Sequence, residues 1–350
     1  MSRNKKENTK EQNIQETSMP EQNIDADEDI EAKKPAFRIN AHVIFISVIV
    51  LIFAIIVFRL YKWNKGVQSS YDPNADIEVI ELEPLDIIIP MDPDNLEGHE
   101  DDGVTTILCL GNDTFFQNKG EKNGLAELIA AKTGATVYNG SFGGSCIAAS
   151  STTYSDEEWL DAFSMPYLSQ AICNGDFSTL KSIAELHSGE ADFVPTIEMF
   201  ENLDMDSVDI ICIMYDASDY LKQRGCDDPN NPYSIVAYTG ALNFALSNIR
   251  ETYPFIRIVI MSHPFCLTED GESGRVANLG NGTVYHYFLK EIDVSQSHGA
   301  SIIDNYYGSI SEANYSEYLI DNIHLNDKGR ELIAQRFKDC IFGNDGDDEK

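Results

Sequence analysis

The chain has 350 residues, 43% of them hydrophobic and 24% charged, with a formal net charge of −33. That apolar content can build one sizeable core. So acidic a balance excludes nucleic acid as a partner, because a phosphate backbone would be repelled, and it does not suit docking onto anionic lipid heads. The seven cysteines (Cys109, Cys146, Cys173, Cys212, Cys226, Cys266 and Cys340) show neither CxxC nor the Cys/His spacing of a structural zinc site. Cys109 and Cys212 fall in strand-like apolar runs and read as small buried hydrophobes. An odd count leaves at least one thiol free.

Residues 1–40 are polar and rich in Lys, Glu, Asn and Gln, a composition that predicts disorder. Residues 41–60 then read AHVIFISVIVLIFAIIVFRL, uncharged from His42 to the residue before Arg59. The length matches the roughly 20 residues of a bilayer-spanning helix, so a single-pass membrane anchor is expected here. Lys33, Lys34 and Arg38 on one side balance Arg59, Lys62 and Lys65 on the other, while Arg3, Lys5, Lys6 and Lys10 tip the positive-inside bias towards a cytoplasmic N-terminus. The following domain would then be extracytoplasmic. Residues 61–103 carry Pro73, Pro84, Pro90, Pro93 and many acids, and predict an acidic stalk with a short edge-strand run at 86–90.

From residue 104 the pattern alternates between strand and helix. Residues 104–110 (VTTILCL) are β-rich; 124–133 (GLAELIAAKT) have helical spacing and end at Gly134, a good helix stop. Residues 135–138 form a short strand. The continuous apolar run 208–215 (VDIICIMY) is typical of a central parallel strand buried on both faces. A helix is predicted over 235–252, a strand over 255–261, a helix over 284–297, a strand over 300–304 and a last helix over 328–342, before an acidic tail at 343–350. Repeated strand, crossover helix and strand predicts a three-layer α/β/α sandwich on a parallel sheet of order 2-1-3-4-5. Ligands bind such sheets outside the carboxyl ends of the strands.

Those ends carry Leu110-Gly111-Asn112-Asp113-Thr114, then Asn139-Gly140-Ser141-Phe142-Gly143-Gly144-Ser145, then Tyr215-Asp216-Ala217-Ser218-Asp219-Tyr220. Before the last helix stands Asp321-Asn322-Ile323-His324-Leu325-Asn326, with Gly329 three residues on. This last segment resembles the DxxH block of the SGNH (GDSL-type) hydrolases. The first strand and its turn are similar to that family's opening GDS block, and the resemblance runs over roughly residues 104–342. It implies a flavodoxin-like fold and hydrolysis of esters, such as acetyl groups on cell-surface glycans, without a cofactor. It also implies an Asp321–His324 pair, with a glycine amide from Gly143 or Gly144 as oxyanion donor.

The sequence departs from the family pattern where the nucleophile belongs. Asn112 stands at the block's Asp and Asp113 at its Ser; residues 215–220 sit where the family has a GxND segment, with Asp216 at its Gly and Ser218 at its oxyanion Asn. Four readings are open. The domain is a non-catalytic binding module; or Thr114 or Ser145 replaces the missing serine, with His324 as base; or Asp113 is itself nucleophile or base; or Asp113, Asp216 and His324 hold a divalent cation. A thiol–imidazole pair of Cys146 with His324 is a further, smaller candidate. Tyr154, Trp159, Phe163 and Tyr167 fall in the long insertion between the second and third strands, as a ligand lid or as packing. His263 follows a strand and is a candidate for the cleft rim.

Overall fold

The computed structural model describes residues 41–64 and 83–343; the predictions for residues 1–40, for residues 65–82 of the stalk and for the acidic tail from residue 344 lie outside them. It divides into two units at Val79/Ile80. The first contains helix α1 (Ala41–Asn64), along which the large apolar side chains from Phe45 to Phe58 are exposed. Among the described residues no helix is long and apolar enough to cross a membrane.

The second unit is built on a five-stranded parallel sheet of order β2-β1-β3-β4-β5, with β1 Thr106–Gly111, β2 Thr136–Asn139, β3 Ile210–Met214, β4 Arg257–Met261 and β5 Ser301–Ile303. The alternation of each strand sorts its side chains onto two faces. Leu108, Leu110, Ile211 and Ile213 belong to one core cluster. Ile107, Cys109, Ile210, Cys212 and Met214 belong to the other. The second face is covered by α2 (Leu125–Thr133), through Leu125 and Ile129, and by the C-terminal helix α8 (Asp327–Phe342), through Ile333 and Phe337. The first face is covered by α3 (Met165–Asn174), α4 (Ser178–Leu186), α5 (Val194–Asn202), α6 (Tyr238–Thr252) and α7 (Val284–Ser297).

Two glycines explain local geometry. Gly134 closes α2 at φ +73°, where a side chain would be strained, and its amide bonds back to the Ala130 carbonyl. Gly111 ends β1 so close to β3 that a Cβ would strike the Met214 carbonyl oxygen, which brings the two strand ends together. The run predicted as an edge strand pairs antiparallel to β5 through a bridge between Ile87 and Ile302. Arg336 of α8 fastens it by an ion pair to Asp86 at 2.8 Å. All seven cysteines are free thiols.

The long segment between β2 and β3 packs instead of forming an open lid. Trp159 and Phe163 are buried; the Trp159 ring stacks on His187 at 4.6 Å, and the rings of Trp159 and Phe163 lie against Phe193. Tyr154 stays exposed and, with Tyr167, lines a groove of about 560 Å³.

Candidate functional site

The last loop before α8 is organised by its own side chains. Asp321 Oδ1 accepts the backbone N–H of Ile323 and of His324, each at 2.9 Å, so one carboxylate oxygen shapes the turn. Its other oxygen lies 2.7 Å from His324 Nδ1. Leu325 is buried and anchors the turn, Asn326 caps α8 by accepting the Gly329 amide at 3.0 Å, and the Gly329 backbone lies against the Tyr318 carbonyl. Each position of the Asp-x-x-His-Leu-Asn-x-x-Gly pattern thus has a mechanical role. Buried Arg330 adds support, donating to the carbonyls of Leu325 at 2.6 Å and Asn123 at 2.7 Å.

With Nδ1 committed to Asp321, the ring presents Nε2 to the strand ends. Nε2 lies 4.0 Å from Asp216 Oδ2. Burial works against a charged ring, yet the Asp321 hydrogen bond and the carboxylates of Asp321, Asp216 and Asp113 outweigh it and raise the His324 pKa. Burial also acts on Asp321, but hydrogen bonds from the ring and from the two amides hold its carboxyl below the usual value.

Asp216 is fixed by a reciprocal contact between the ends of β1 and β3. Asn112 Nδ2 donates to Asp216 Oδ1 at 2.7 Å, and the Asp216 amide donates back to Asn112 Oδ1 at 3.1 Å. The Ser218 amide supplies a further bond to Oδ1 at 2.9 Å. Oδ2 is buried and has no hydrogen-bond partner. Burial pushes this carboxyl up, against the hydrogen bonds from Ser218 and Asn112 that favour its charge. The sequence placed Asp216 at a motif position, but nothing in it announced Asn112 as the residue that aims it.

Asp113, at the position of the family's serine, accepts the Gly144 amide at 2.8 Å. The donor expected to face an oxyanion therefore faces a carboxylate. Gly143 lies against the Phe116 ring. Ser218 bonds Asp216 Oδ1 through its backbone amide, and its short hydroxyl is not the extended amide donor of the family pattern.

The substitute nucleophiles are not free. The Thr114 hydroxyl is buried and donates to the Met214 carbonyl at 2.7 Å. The Ser145 hydroxyl is buried and donates to the Phe142 carbonyl at 2.8 Å. Cys146 is also buried, and burial pushes its thiol far up, away from the thiolate a Cys–His pair needs. His263 is buried as well, not on a rim, and burial lowers its pKa to about 4.

Two supports escaped the sequence reading. Asp219 accepts the amides of Ile147 and Ala148, both at 2.8 Å, and so ties the glycine loop to the turn after β3. Lys222 Nζ donates to the Gly144 carbonyl at 2.8 Å. Their only signal was a polar cluster just after a predicted central strand. Beside this loop, Gly144, Cys146, Trp159, Asp161, Lys222 and Arg224 line a small depression of about 60 Å³, and Asp161 also lines the larger groove.

No protein-family model matches the chain, and no curated protein matches it. Among solved structures it is similar to a protein from Lactobacillus plantarum, at 15% identity over 69% of this chain and 97% of that one, with a TM-score of 0.49. It is similar to a protein described as a GDSL-like lipase from Parabacteroides merdae, at 13% identity over 70% of this chain and 99% of that one, TM-score 0.43. A carbohydrate acetylesterase from Sinorhizobium meliloti is similar at 12% identity over 68% of this chain and 98% of that one, TM-score 0.38. These are distant likenesses of fold, and the chemistry of the site stands on its own residues.

Proposed function

We propose that residues 83–343 form an SGNH-hydrolase-type domain that binds a ligand at its strand ends and does not work as a serine esterase. The observation that carries this reading is the Asp113 carboxylate, which occupies the nucleophile position and takes the Gly144 amide for itself. A tetrahedral intermediate there would set its negative oxygen beside a carboxylate and without its backbone donor, which costs the main electrostatic source of catalysis in acyl transfer. The sequestered hydroxyls of Thr114 and Ser145 offer no substitute.

A second reading has its own support. The Asp321–His324 pair is held in the arrangement of a general base, with Nε2 directed at the strand ends. In that reading His324 activates water for ester hydrolysis. The two separate on one measurement, the hydrolysis of 4-nitrophenyl acetate by the full chain and by His324→Ala. The binding reading expects wild type and variant to match the buffer blank. Turnover by wild type that is lost in His324→Ala would overturn it.

The uncharged apolar sequence of residues 43–58 supports a membrane anchor, and the basic N-terminal residues support display of the domain on the extracytoplasmic side. The resemblance to SGNH hydrolases supports acylated groups of a cell-surface glycan as the ligand of such a domain. Protease digestion of intact cells tests the placement: loss of the domain, with the N-terminal segment protected, is the expected outcome.

A further inference from the structure

We propose that Asp113, Asp216 and His324 form a divalent-cation site. This names the ligand class of the site read above as a binding centre, and it rests on Asp113 not being a nucleophile. One oxygen of each carboxylate and one ring nitrogen lie within 4.8 Å of one another. Three donors bound to one cation at about 2.1 Å sit roughly 3.0–3.6 Å from one another, so closure needs each side chain to move inward by up to about an ångström. Two oxygens and one imidazole nitrogen suit Mn²⁺, Fe²⁺ or Zn²⁺.

A second observation is independent of the clustering. Asp216 Oδ2 belongs to a side chain only 2% exposed, lacks a hydrogen-bond partner, and points towards His324 Nε2 at 4.0 Å. The other oxygen of that carboxylate is saturated by Asn112 and Ser218. Burying a carboxylate with one oxygen unmet is costly unless something answers it. Among the described residues, no lysine or arginine forms an ion pair with Asp113 or Asp216; the His324 ring faces Asp216 Oδ2 at 4.0 Å, too far for a hydrogen bond.

The histidine is also prepared. Asp321 on Nδ1 selects the tautomer whose lone pair is on Nε2, the carboxylate–histidine arrangement that supports metal-ligating imidazoles. A cation there would leave several coordination positions for a carbonyl or for vicinal hydroxyls of a ligand. It would also neutralise the negative charge that Asp113 brings to the site.

The test is titration of the full chain in detergent with Mn²⁺, followed by loss of the free-ion electron paramagnetic resonance signal and by calorimetry. Acidic segments elsewhere will take up Mn²⁺ weakly, so the readout is the tightest class of sites. The wild type should show one such site. His324→Gln and Asp216→Asn, each with an unchanged circular dichroism spectrum, should weaken it at least tenfold. Asp321→Asn should weaken it less, acting through the ring. His324 is half-buried in a loop, so its variant tests the proposal even if Asp216→Asn misfolds. No tight site in the wild type, or a site unaffected by His324→Gln, would overturn the proposal. Ester hydrolysis that persists in EDTA would overturn the non-catalytic reading alone; the titration decides the cation separately.

Discussion

Asp113 decides the chemistry at the scale of one residue. Replacing it by serine removes a carboxylate from the site, frees the Gly144 amide and places a hydroxyl where His324 can act on it. Asp113→Ser, alone or with Asn112→Asp, is expected to hydrolyse 4-nitrophenyl acetate at least tenfold faster than wild type. Rates equal to wild type would show that Asp113 is not what silences the site. Asn112 makes a different prediction. Asn112→Ala removes the reciprocal bonds to Asp216 in a fully buried setting, leaving the Asp216 amide unpaired and its Oδ1 with the Ser218 amide alone. The expected cost is about 2–3 kcal/mol, read from urea unfolding. The Asp321–His324 spacing was legible because one tight turn holds both residues. The aim of Asp216 was not, since it depends on a residue 104 positions away in sequence.

Among the elements, the helices that cover the sheet are where packing can be tested. Phe337 is fully buried in α8 against the second face, and Phe337→Ala should cost about 3–5 kcal/mol, seen as a lower urea midpoint. Gly134→Ala forces a side chain onto the left-handed end of α2 and should cost about 1 kcal/mol, with no change at the site. Most strands and helices were visible beforehand because buried parallel strands are apolar without interruption and helices keep their period. Val208 to Tyr215 is the clearest case: it predicted β3 (Ile210–Met214) to within two residues at either end. The long insertion was less legible. Trp159 and Phe163 suit a lid or a core equally as sequence, and only Phe193 and His187, brought in from residues about 30 further on, show that they are packed.

For the whole molecule, the buried ionisable groups set how stability changes with pH. Burial pushes the Glu291 carboxyl from 4.5 up to about 8, against a hydrogen bond from Tyr238, with Asp304 and Asp219 adding to the rise. His263, with its Nδ1 3.8 Å from Glu291, is lowered from 6.5 to about 4, chiefly by burial. Both groups are then neutral at pH 7, so their contact is not an ion pair. Between about pH 4.5 and 8 the folded chain keeps a proton on Glu291 that the unfolded chain has lost, which lowers stability as pH rises. His263 acts with the opposite sign between about pH 4 and 6.5, because there the unfolded chain binds the extra proton, and it offsets much of the Glu291 effect. Above pH 6.5 Glu291 acts without that offset. Stability should fall by about 2 kcal/mol from pH 6.5 to 8 in urea unfolding, and Glu291→Gln should flatten the slope. A flat wild-type profile would show that Glu291 is ionised in the fold.

What the amino-acid order determined by itself was local. The strands, the helices, the Gly134 stop and the Asp321–His324 turn each arise from residues within a few positions of one another, where periodicity and short-range hydrogen bonding act. The parallel α/β architecture followed, because strands separated by helices leave few other solutions. Only the tertiary structure decided what the altered motif means. It buried the hydroxyls of Thr114 and Ser145, gave the Gly144 amide to Asp113, and set the unmatched oxygen of Asp216 facing His324. Those outcomes depend on which strand ends meet and on the solvent they exclude, and neither is a property of any short stretch of sequence.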